Sequence, residues 1–586
     1  MDTICSRWVA RLHFTASRAT LETLTLLLIL LLGGVLRSWN ATVGLPVLYE
    51  HDEIFEVHRS LELLRGEYNF YRTKGMYFYF LSLIGWIYGG FEILQGTFPD
   101  LKSFITYSLV HPGEMVLLSR YLCSTFGVIS IFLIYRLGKQ NFSTESFGPL
   151  LLALAWATCG LASWVSRWGL IESTVVLFSL LAFSKILLLF ENRSRLVYMW
   201  AGFFIAAATA TKVYGILLFL PLVFAHVMVH DGYNVKTIGA TMVDRKLMLA
   251  FSIFALSLLV FNPSIPVQLV KSVDGGILPD LSADTEEIYP LFFYFQHVRW
   301  NLGNLGLVFF CIGAIAATIR FNRKILTCAI FALSFFLVLG LKKEAVFIYE
   351  RYLLASLPFF FLISVYGLEV SWRWVRDQIS LLQRRQWLGR TVILVAALGF
   401  MWNGLSMLFA NPVMGHPFVP VHQQAMEWFT AHVPGGATVV IRGEARPWPG
   451  NQNLPIFDLK ENYLRQYEEK RAEGRTPAEI DYFLDLAQAN DVTRYNLVNE
   501  TRYVLWKTPQ DYIGDQGAEY FVVDVEHFDT NFTSRRSYAA TESRRKFYRL
   551  LRSSPEVTLA KAFHGYTITG GARTIEVYKV IKPRKG

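Results

Sequence analysis

The sequence predicts a polytopic α-helical membrane protein with a soluble α/β domain after its last apolar segment. Of its 586 residues, 53% are hydrophobic and only 17% are charged, whereas soluble domains average about 25% charged residues. Apolar runs near the roughly 20 residues that cross a bilayer recur from Leu21 to Ala410 and then stop. We therefore predict a transmembrane domain over 1–410 and a separate α/β domain over 411–586.

The first apolar run predicts a retained membrane anchor. It reads "LETLTLLLILLLGGVL", it follows Arg7, Arg11 and Arg18, and no small-residue cleavage site comes after it. All five cysteines lie in the transmembrane part, so the C-terminal domain has no disulfide framework. Most of the net charge of +10 lies in short connections between apolar runs, where it indicates membrane topology and not nucleic-acid binding.

Five basic connections predict the orientation, because Lys and Arg are enriched in cytoplasmic loops. Placing all five on the side of the N-terminus makes 40–114 a first outer loop, with interfacial helices at 52–65 and 76–94. The stretch 76–94 is apolar, yet a crossing there would put every later basic connection outside, and its Tyr, Phe and Trp content suits the interface. The basic residues are Arg136 and Lys139; Arg193 and Arg195; Lys236, Arg245 and Lys246; Arg320, Arg323 and Lys324; and Arg373, Arg376, Arg384, Arg385 and Arg390.

Counting on this basis gives about eleven spans, a cytoplasmic N-terminus and an extracytoplasmic C-terminal domain. The outside is the periplasm or cell exterior in a prokaryote and the lumen of the endoplasmic reticulum in a eukaryote. We interpret 197–230 as two short spans. One long tilted helix would instead place the later basic connections on the outer side of the membrane. The predicted spans are 21–39, 115–135, 147–166, 170–190, 197–211, 213–230, 247–262, 303–319, 326–341, 351–371 and 391–410.

Local patterns predict helices and strands in the C-terminal domain. An amphipathic helix with a Pro-Gly stop is expected at "HQQAMEWFTAHVPGG", and the strand "ATVVI" follows it. A capping box from Thr476 to Glu479 opens a helix through about Asn490. Later strands are expected at "AEYFVVDV" and "TIEVYKVI". This part of the sequence contains no nucleotide-binding loop and no Cys/His metal spacing, so we assign it no chemistry of its own.

The first outer loop contains the stretch "LYEHDEIFEVHRSLELLRG", whose apolar residues recur at helical spacing. In one interpretation Asp52 is the N-cap of this helix, and the acidic residues after it favour the positive end of the helix dipole. In the other, Asp52 projects into a cavity and takes a proton from a hydroxyl or orients it. The apolar stripe is Ile54, Val57, Leu61 and Leu64, and Glu53, Glu56, Arg59 and Arg65 lie away from it.

Further ionisable residues gather on the same predicted side. A charge within or at the edge of a span is costly and usually faces a cavity or a partner. Lys and Arg around an outer cavity suit a phosphate, whose charge they neutralise. Any one of them is explained equally well as a headgroup anchor or a snorkelling side chain. The residues are Lys74, Arg120, Arg167, Glu172, Lys212, Lys342, Lys343, Glu344, Glu350 and Arg351, and for Lys342 and Lys343 the anchor is preferred.

The outer-loop stretch resembles that of membrane glycosyltransferases of the GT-C type, in the branch of the dolichyl-phosphate-mannose protein mannosyltransferases and the aminoarabinose transferase of lipid A. The ordered likeness covers most of Leu21–Ala410, although no single motif is highly specific. It is carried by "LYEHDEIFEVHRSLELLRGEYNF", "KGMYFYFLSLIGWIYG", "LSRYLCSTFGVISIFLIYRLGKQNF", "SRWGLIESTVVLFSLLAF", "ATATKVYGILLFLPLVF" and "ERYLLASLPFFFLISVYGL".

The resemblance implies an inverting transfer of a sugar from a polyprenyl-phosphate-linked donor to an acceptor hydroxyl at the outer membrane face. The chain departs from the family where the interfacial segment lacks the usual "P-P" or "K-P" pair, and where Glu172 replaces a frequent Asp. By resemblance, the site consists of the catalytic residues Asp52 and Glu53, the donor-phosphate contacts Lys74, Arg167, Lys212 and Arg351, and the supporting residues Arg120 and Glu172.

No cofactor is required if the basic residues neutralise the phosphate. A divalent cation on Asp52 and Glu53, as in the oligosaccharyltransferase relatives with a pyrophosphate donor, is the disfavoured alternative. The acceptor stays open among protein Ser/Thr, lipid A, another glycolipid and a growing polysaccharide. Two other functions are considered: a transporter or flippase for a lipid-linked sugar, which the absence of an inverted repeat disfavours, and a noncatalytic scaffold of the same fold.

Overall fold

Apolar helices make up most of the chain in the computed structural model, with one β-sheet near the C-terminus. The described residues are 2–45, 51–66, 75–143, 146–230, 241–263, 291–340, 350–378, single positions between 391 and 409, 419–442, 467–468, 471–472, 496–500, 507–525, 535–566 and 572–581.

Up to residue 378 the described chain is helical, because a backbone in lipid must satisfy its own hydrogen bonds. Short 3₁₀ helices occur at Val213–Leu218 and Glu350–Ala355. The helices are α1 (Asp2–Ser38), α2 (His51–Leu64), α3 (Gly75–Leu94), α4 (Leu101–Val110), α5 (Gly113–Asn141), α6 (Gly148–Ala157), α7 (Gly160–Ser166), α8 (Glu172–Leu188), α9 (Arg195–Thr211), α10 (Phe219–His230), α11 (Arg245–Phe261), α12 (Leu291–Ile319), α13 (Arg323–Gly340) and α14 (Leu357–Gln378).

These helices make the protein a multi-pass integral membrane protein. Six segments of the described chain are long and apolar enough to cross a bilayer, and a bent pair of helices raises the number to seven. Helix α3 is one of the six, so the interfacial placement of 76–94 stays a prediction, as does the total of eleven spans. Most of the predicted span 391–410 lies outside the described residues.

The predicted span 147–166 is not one continuous helix. Helices α6 and α7 meet at an angle of 55°, and the backbone carbonyls at this break are buried. Arg37 satisfies two of them, donating to Ala157 O and Trp156 O at 2.9 Å each. A hydrogen bond from Leu161 N to Asn301 Oδ1, at 3.2 Å, satisfies the amide after the break. Side chains distant in sequence thus stabilise a bend that local hydropathy does not reveal.

The predicted division of 197–230 agrees with a break in the backbone. Helix α9 ends at Thr211, and Lys212 is extended, with φ −145° and ψ 132°. The 3₁₀ helix that follows packs so tightly against α9 that a Cβ at Gly215 would lie 2.6 Å from Ala208 C. A similar break at Gly303 (φ 71°) divides α12 where the span 303–319 was predicted to begin.

Small residues let two of the helices approach closely. A Cβ at Gly313 in α12 would lie 2.2 Å from Ile363 O, and one at Gly367 in α14 would lie 1.9 Å from Phe309 O. Close backbone contact of this kind is typical of helix packing in membranes, where dispersion forces act without a hydrophobic drive.

The first outer loop has a core of its own, beside the larger core among the spans. Ile54, Val57 and Leu61 of α2 are almost completely buried, as the apolar stripe predicts, and they pack with residues of α3, α4 and α5. Glu53 and Glu56, which the spacing places away from that stripe, are buried as well. Several helices surround α2, which therefore has no broad solvated face.

The C-terminal sheet contains three strands that the sequence predicts. They are β1 (Thr438–Arg442), β3 (Tyr520–Asp524) and β5 (Ala572–Val580), and the predicted helix at "HQQAMEWFTAH" is α15 (Val421–His432). Four further elements were not predicted: β2 (Asn496–Glu500), α16 (Pro509–Gln516), α17 (Arg535–Ser553) and β4 (Val557–Tyr566). The strand order is β2-β1-β3-β5-β4, with β1 parallel to β2 and β3, and β5 antiparallel to β3 and β4.

All five residues of β3 are buried, as expected for a central strand covered on both faces. The helix predicted from Thr476 to about Asn490 lies outside the described residues. The separate folding of this domain and its outer location stay predictions.

Candidate functional site

Asp52 lies in the first turn of α2 and contacts a residue from the far end of the transmembrane domain. Because α2 begins at His51, Asp52 is inside the helix and is not its N-cap. Arg351 donates a hydrogen bond from Nη2 to Asp52 Oδ2. The Asp52 side chain keeps 33% of its surface exposed, and that of Arg351 keeps 10%. The carboxylate is therefore held in place while part of it stays accessible.

Arg351 also lies near a second carboxylate, that of Glu172 at the start of α8. Its Nε lies 3.4 Å from Glu172 Oε1, and Lys212 Nζ lies 2.5 Å from the same oxygen. Asp52, Arg351, Glu172 and Lys212 thus form one line of alternating charges, which we call the open cluster. Four segments of the sequence, separated by spans, supply its members.

Aromatic rings and backbone geometry position Lys212. The extended conformation after α9 turns this residue out of the helix. Its Nζ lies 4.4 Å from the centroid of the Tyr352 ring and 5.6 Å from that of Tyr214. Cation–π attraction at such distances stabilises an ammonium group that has lost part of its hydration. The sequence offered one signal for Tyr352, its position beside Arg351.

Glu53, the neighbour of Asp52, has entirely different surroundings. Arg120 of α5 binds both of its carboxylate oxygens, with Nε to Oε1 and Nη2 to Oε2 at 2.8 Å each. The remaining Nη1 of Arg120 donates to Ala41 O at 2.7 Å and to Val43 O at 2.9 Å. Both charged side chains have 0% exposure. We call the Glu53–Arg120 pair the closed cluster.

The closed cluster also holds the segment between α7 and α8. Gly169 N donates to Glu53 Oε1 at 2.8 Å, and Tyr77 donates from its hydroxyl to Gly169 O at 3.0 Å. A Cβ at Gly169 would lie 2.0 Å from Ser119 Oγ, so any larger residue here would force Ser119 to move. Because this segment leads into Glu172, the closed cluster positions one end of the open cluster.

Arg167 lies in the same segment and is completely buried. None of its three guanidinium nitrogens has a hydrogen-bond partner among the described residues. A buried cation without a partner is costly, and proteins normally pair it. An anion bound nearby would supply that partner. The predicted contact of Arg167 with a donor phosphate stays a prediction.

His58 anchors the other side of α2. Its Nε2 donates to Leu109 O at 3.1 Å, since a carbonyl oxygen can only accept. Burial lowers the pKa of His58 from 6.5 to about 4, and the nearby Arg59 adds to this effect, while the bond to Leu109 opposes it. The imidazole is therefore neutral at pH 7 and acts as a fixed link between α2 and α4.

Seven of the eight predicted site residues can be located. Asp52, Glu172, Lys212 and Arg351 come together in the open cluster, and Glu53 and Arg120 pair in the closed cluster. Lys74 lies outside the described residues, as do Lys342, Lys343 and Glu344. The predictions did not include Tyr77 or Trp168. The centroid of the Trp168 ring lies 4.6 Å from Arg120 Cζ.

The donor set around Glu53 does not fit a divalent cation. Both of its oxygens accept hydrogen bonds from a guanidinium group, so a metal ion there would have to displace Arg120 and overcome its repulsion. Within the part of the chain that the structure describes, Asp52 alone supplies fewer ligands than a protein site for Mg²⁺, Mn²⁺ or Zn²⁺ normally does.

Comparisons with known proteins give likeness only at the level of solved structures. No protein-family model and no curated protein matches the chain. An oligosaccharyltransferase of Archaeoglobus fulgidus, tethered to an acceptor peptide, has a TM-score of 0.49 at 12% identity over 94% of this chain and 73% of that one. ArnT from Cupriavidus metallidurans gives 0.49 at 11% over 96% and 98%, and its undecaprenyl phosphate complex gives 0.49 at 12% over 95% and 98%. Likenesses of this degree establish neither family nor activity.

Proposed function

We propose that the chain is an inverting glycosyltransferase of the GT-C type. It would move a sugar from a polyprenyl-phosphate-linked donor to an acceptor hydroxyl at the outer membrane face, with Asp52 as general base. The observation that carries the proposal is a partly exposed carboxylate, Asp52, held by an arginine that also lies near Glu172. Arg351 holds Asp52, Lys212 lies on the next carboxylate, and Arg167 is buried with its guanidinium nitrogens unbonded.

The open cluster suits a single displacement. The acceptor oxygen attacks the anomeric carbon of the donor, its proton passes to Asp52, and the bond between that carbon and the phosphate oxygen breaks. The bonding electrons leave with the phosphate, whose negative charge increases. Lys212 and Arg351 balance the two carboxylates of the open cluster. Arg167, on the segment that leads into Glu172, would add the positive charge that the phosphate needs.

Glu53 would act as a positioning residue and not through contact with the substrate. Both its oxygens are bonded to Arg120 and it is inaccessible to solvent. Its bond from Gly169 N holds the segment that carries Arg167 and Glu172. Of the two adjacent acidic residues, Asp52 is then the general base and Glu53 supports the structure around it.

The proposal is tested by consumption of synthetic polyprenyl-phosphate sugars by purified wild type and Asp52→Asn, with a mixture of acceptors, with and without EDTA. General bases contribute about 10²- to 10⁴-fold to a rate, so we expect a loss of that size, and no effect of EDTA. Asp100→Asn is the matched control, because Asp100 caps the neighbouring α4 and Asn is an equally good cap.

Three other outcomes would contradict parts of the proposal. Equal turnover by Asp52→Asn and wild type would remove Asp52 as the base. Donor that crosses the bilayer and is recovered intact would indicate a flippase. A wild type that neither consumes nor moves any donor would indicate the noncatalytic scaffold.

A further inference from the structure

Two histidines and an aspartate meet where α10 ends and α11 begins, at the membrane face predicted to be cytoplasmic. His226 and His230 lie four residues apart on α10, so they share one helix face, and their ring centroids are 4.5 Å apart. Asp244 precedes α11. One ligand atom from each of the three lies within 4.8 Å of the other two. The charge pattern of the chain puts the open cluster at the opposite face.

The protonation of His226 is determined by its hydrogen bonds. Nε2 lies 3.0 Å from Thr241 O, and because a carbonyl only accepts, Nε2 carries the proton. Nδ1 therefore presents a lone pair, which accepts from the Tyr198 hydroxyl at 2.6 Å. An imidazole that donates one N–H to a backbone carbonyl and directs its other nitrogen inward is the usual arrangement of a metal-binding histidine.

The other two residues each have an atom available. His230 Nε2 is buried without a hydrogen-bond partner in the described structure, although a buried imidazole nitrogen is normally bonded. Asp244 accepts from Lys246 N at Oδ1, at 2.8 Å, as the N-cap of α11, and an ionised carboxylate has about four lone-pair sites, enough for a ligand bond as well. Imidazole nitrogens and a carboxylate are the donor set of zinc and similar divalent transition-metal ions.

We propose that His226, His230 and Asp244 bind a divalent transition-metal ion of the zinc class. His226 Nδ1, a ring nitrogen of His230 and a carboxylate oxygen of Asp244 are the three protein ligands, and a water molecule or the Tyr198 hydroxyl completes the coordination. The ligand atoms need to approach one another slightly, since zinc–nitrogen and zinc–oxygen bonds are about 2.0–2.2 Å long. The ion links α10 to α11.

The test measures metal content of the full chain, purified in detergent through a tag without histidine. The protein is stripped with a chelator, reloaded with Zn²⁺ and desalted. Elemental mass spectrometry is then expected to find a single zinc ion per chain. His230→Gln and Asp244→Asn should each lower that occupancy at least tenfold. Asn keeps the N-cap of α11. His297→Gln, a half-buried histidine of α12, is the matched control and should keep the zinc.

A second measurement keeps the proposal falsifiable if a variant folds poorly. Reloading wild type with Co²⁺ should produce the visible absorption of a four-coordinate nitrogen and oxygen site, and Asp244→Asn should lack it while unfolding at the wild-type temperature in metal-free buffer. Wild type that holds no zinc above background, or equal zinc in wild type and both variants, would overturn the proposal.

Discussion

The open and closed clusters differ although their acidic residues are adjacent in the sequence. Asp52 and Glu53 belong to the same turn of α2, and each pairs with an arginine from a distant helix or loop. The Glu53–Arg120 pair is fully buried and its hydrogen bonds are satisfied by protein groups, whereas Asp52 keeps a third of its surface exposed. The first pair is inaccessible to a ligand, whereas the carboxylate of the second can be reached from solvent.

The strongest test of this contrast compares the stability of Glu53→Gln with that of Asp52→Asn. Removing one partner of a buried pair leaves the other charge uncompensated, which costs about 3–5 kcal/mol. We expect Glu53→Gln to lose that amount in unfolding experiments in detergent. Asp52→Asn should lose less, because a third of the Asp52 side chain is already in solvent and Arg351 keeps Glu172 as a neighbouring carboxylate. Equal losses in the two variants would show that the clusters do not differ.

The pH dependence of stability tests the buried side of α2 through His58. The pKa of His58 in the folded protein, about 4, lies below the ordinary value of 6.5, so the unfolded chain binds the proton first as the pH falls. The neutral His58 contributes of order 3 kcal/mol to the free energy of unfolding. This contribution is complete above pH 6.5 and is lost as the pH falls towards 4. Thermal unfolding between pH 7 and pH 4 measures it.

His58→Gln should flatten this dependence, because Gln retains a donor for Leu109 O and does not titrate. The exposed His432 of α15 provides the control: His432→Gln should leave the pH profile unchanged. A wild-type slope that persists in His58→Gln would assign the acid sensitivity to other groups.

A smaller effect on turnover is expected from Arg351→Lys in the open cluster. The guanidinium reaches Asp52 through Nη2 and Glu172 through Nε, and an ammonium group cannot reproduce that fork. Losing one charged contact of about 1.5 kcal/mol corresponds to roughly a tenfold fall in kcat/KM for the donor. Arg376→Lys changes a half-exposed pair with Asp377 and should leave kcat/KM unchanged. Full activity of Arg351→Lys would remove the fork from the mechanism.

The smallest effect is expected from a surface ion pair on α2 itself. Arg59 Nη1 lies 2.8 Å from Glu62 Oε2, and both side chains are more than a fifth exposed. Solvent-exposed pairs contribute about 0.2–1 kcal/mol, so Glu62→Gln should lie close to wild type in stability and turnover. A loss as large as that of Glu53→Gln would mean that burial does not separate the two kinds of pair.

Local pattern was sufficient to predict individual elements. Alternating and helical periodicities placed β1, β3, β5 and α15, because each reflects which side chains face a core. The stripe of Ile54, Val57 and Leu61 was predicted and is buried. The same pattern did not reveal that Glu53 is also buried, since periodicity describes one packed face and α2 is covered by several helices.

The sequence by itself determined that the chain enters membranes, where most of its helices lie, and which charged residues share one predicted side. Those properties follow from composition and from spacing over a few turns. Only the tertiary structure decided that residues 52, 172, 212 and 351 form one cluster, that Arg37 supports the bend between α6 and α7, and that Glu53 is closed off from solvent. Such contacts join segments separated by up to about three hundred residues, and they depend on how helices pack, which no local period encodes.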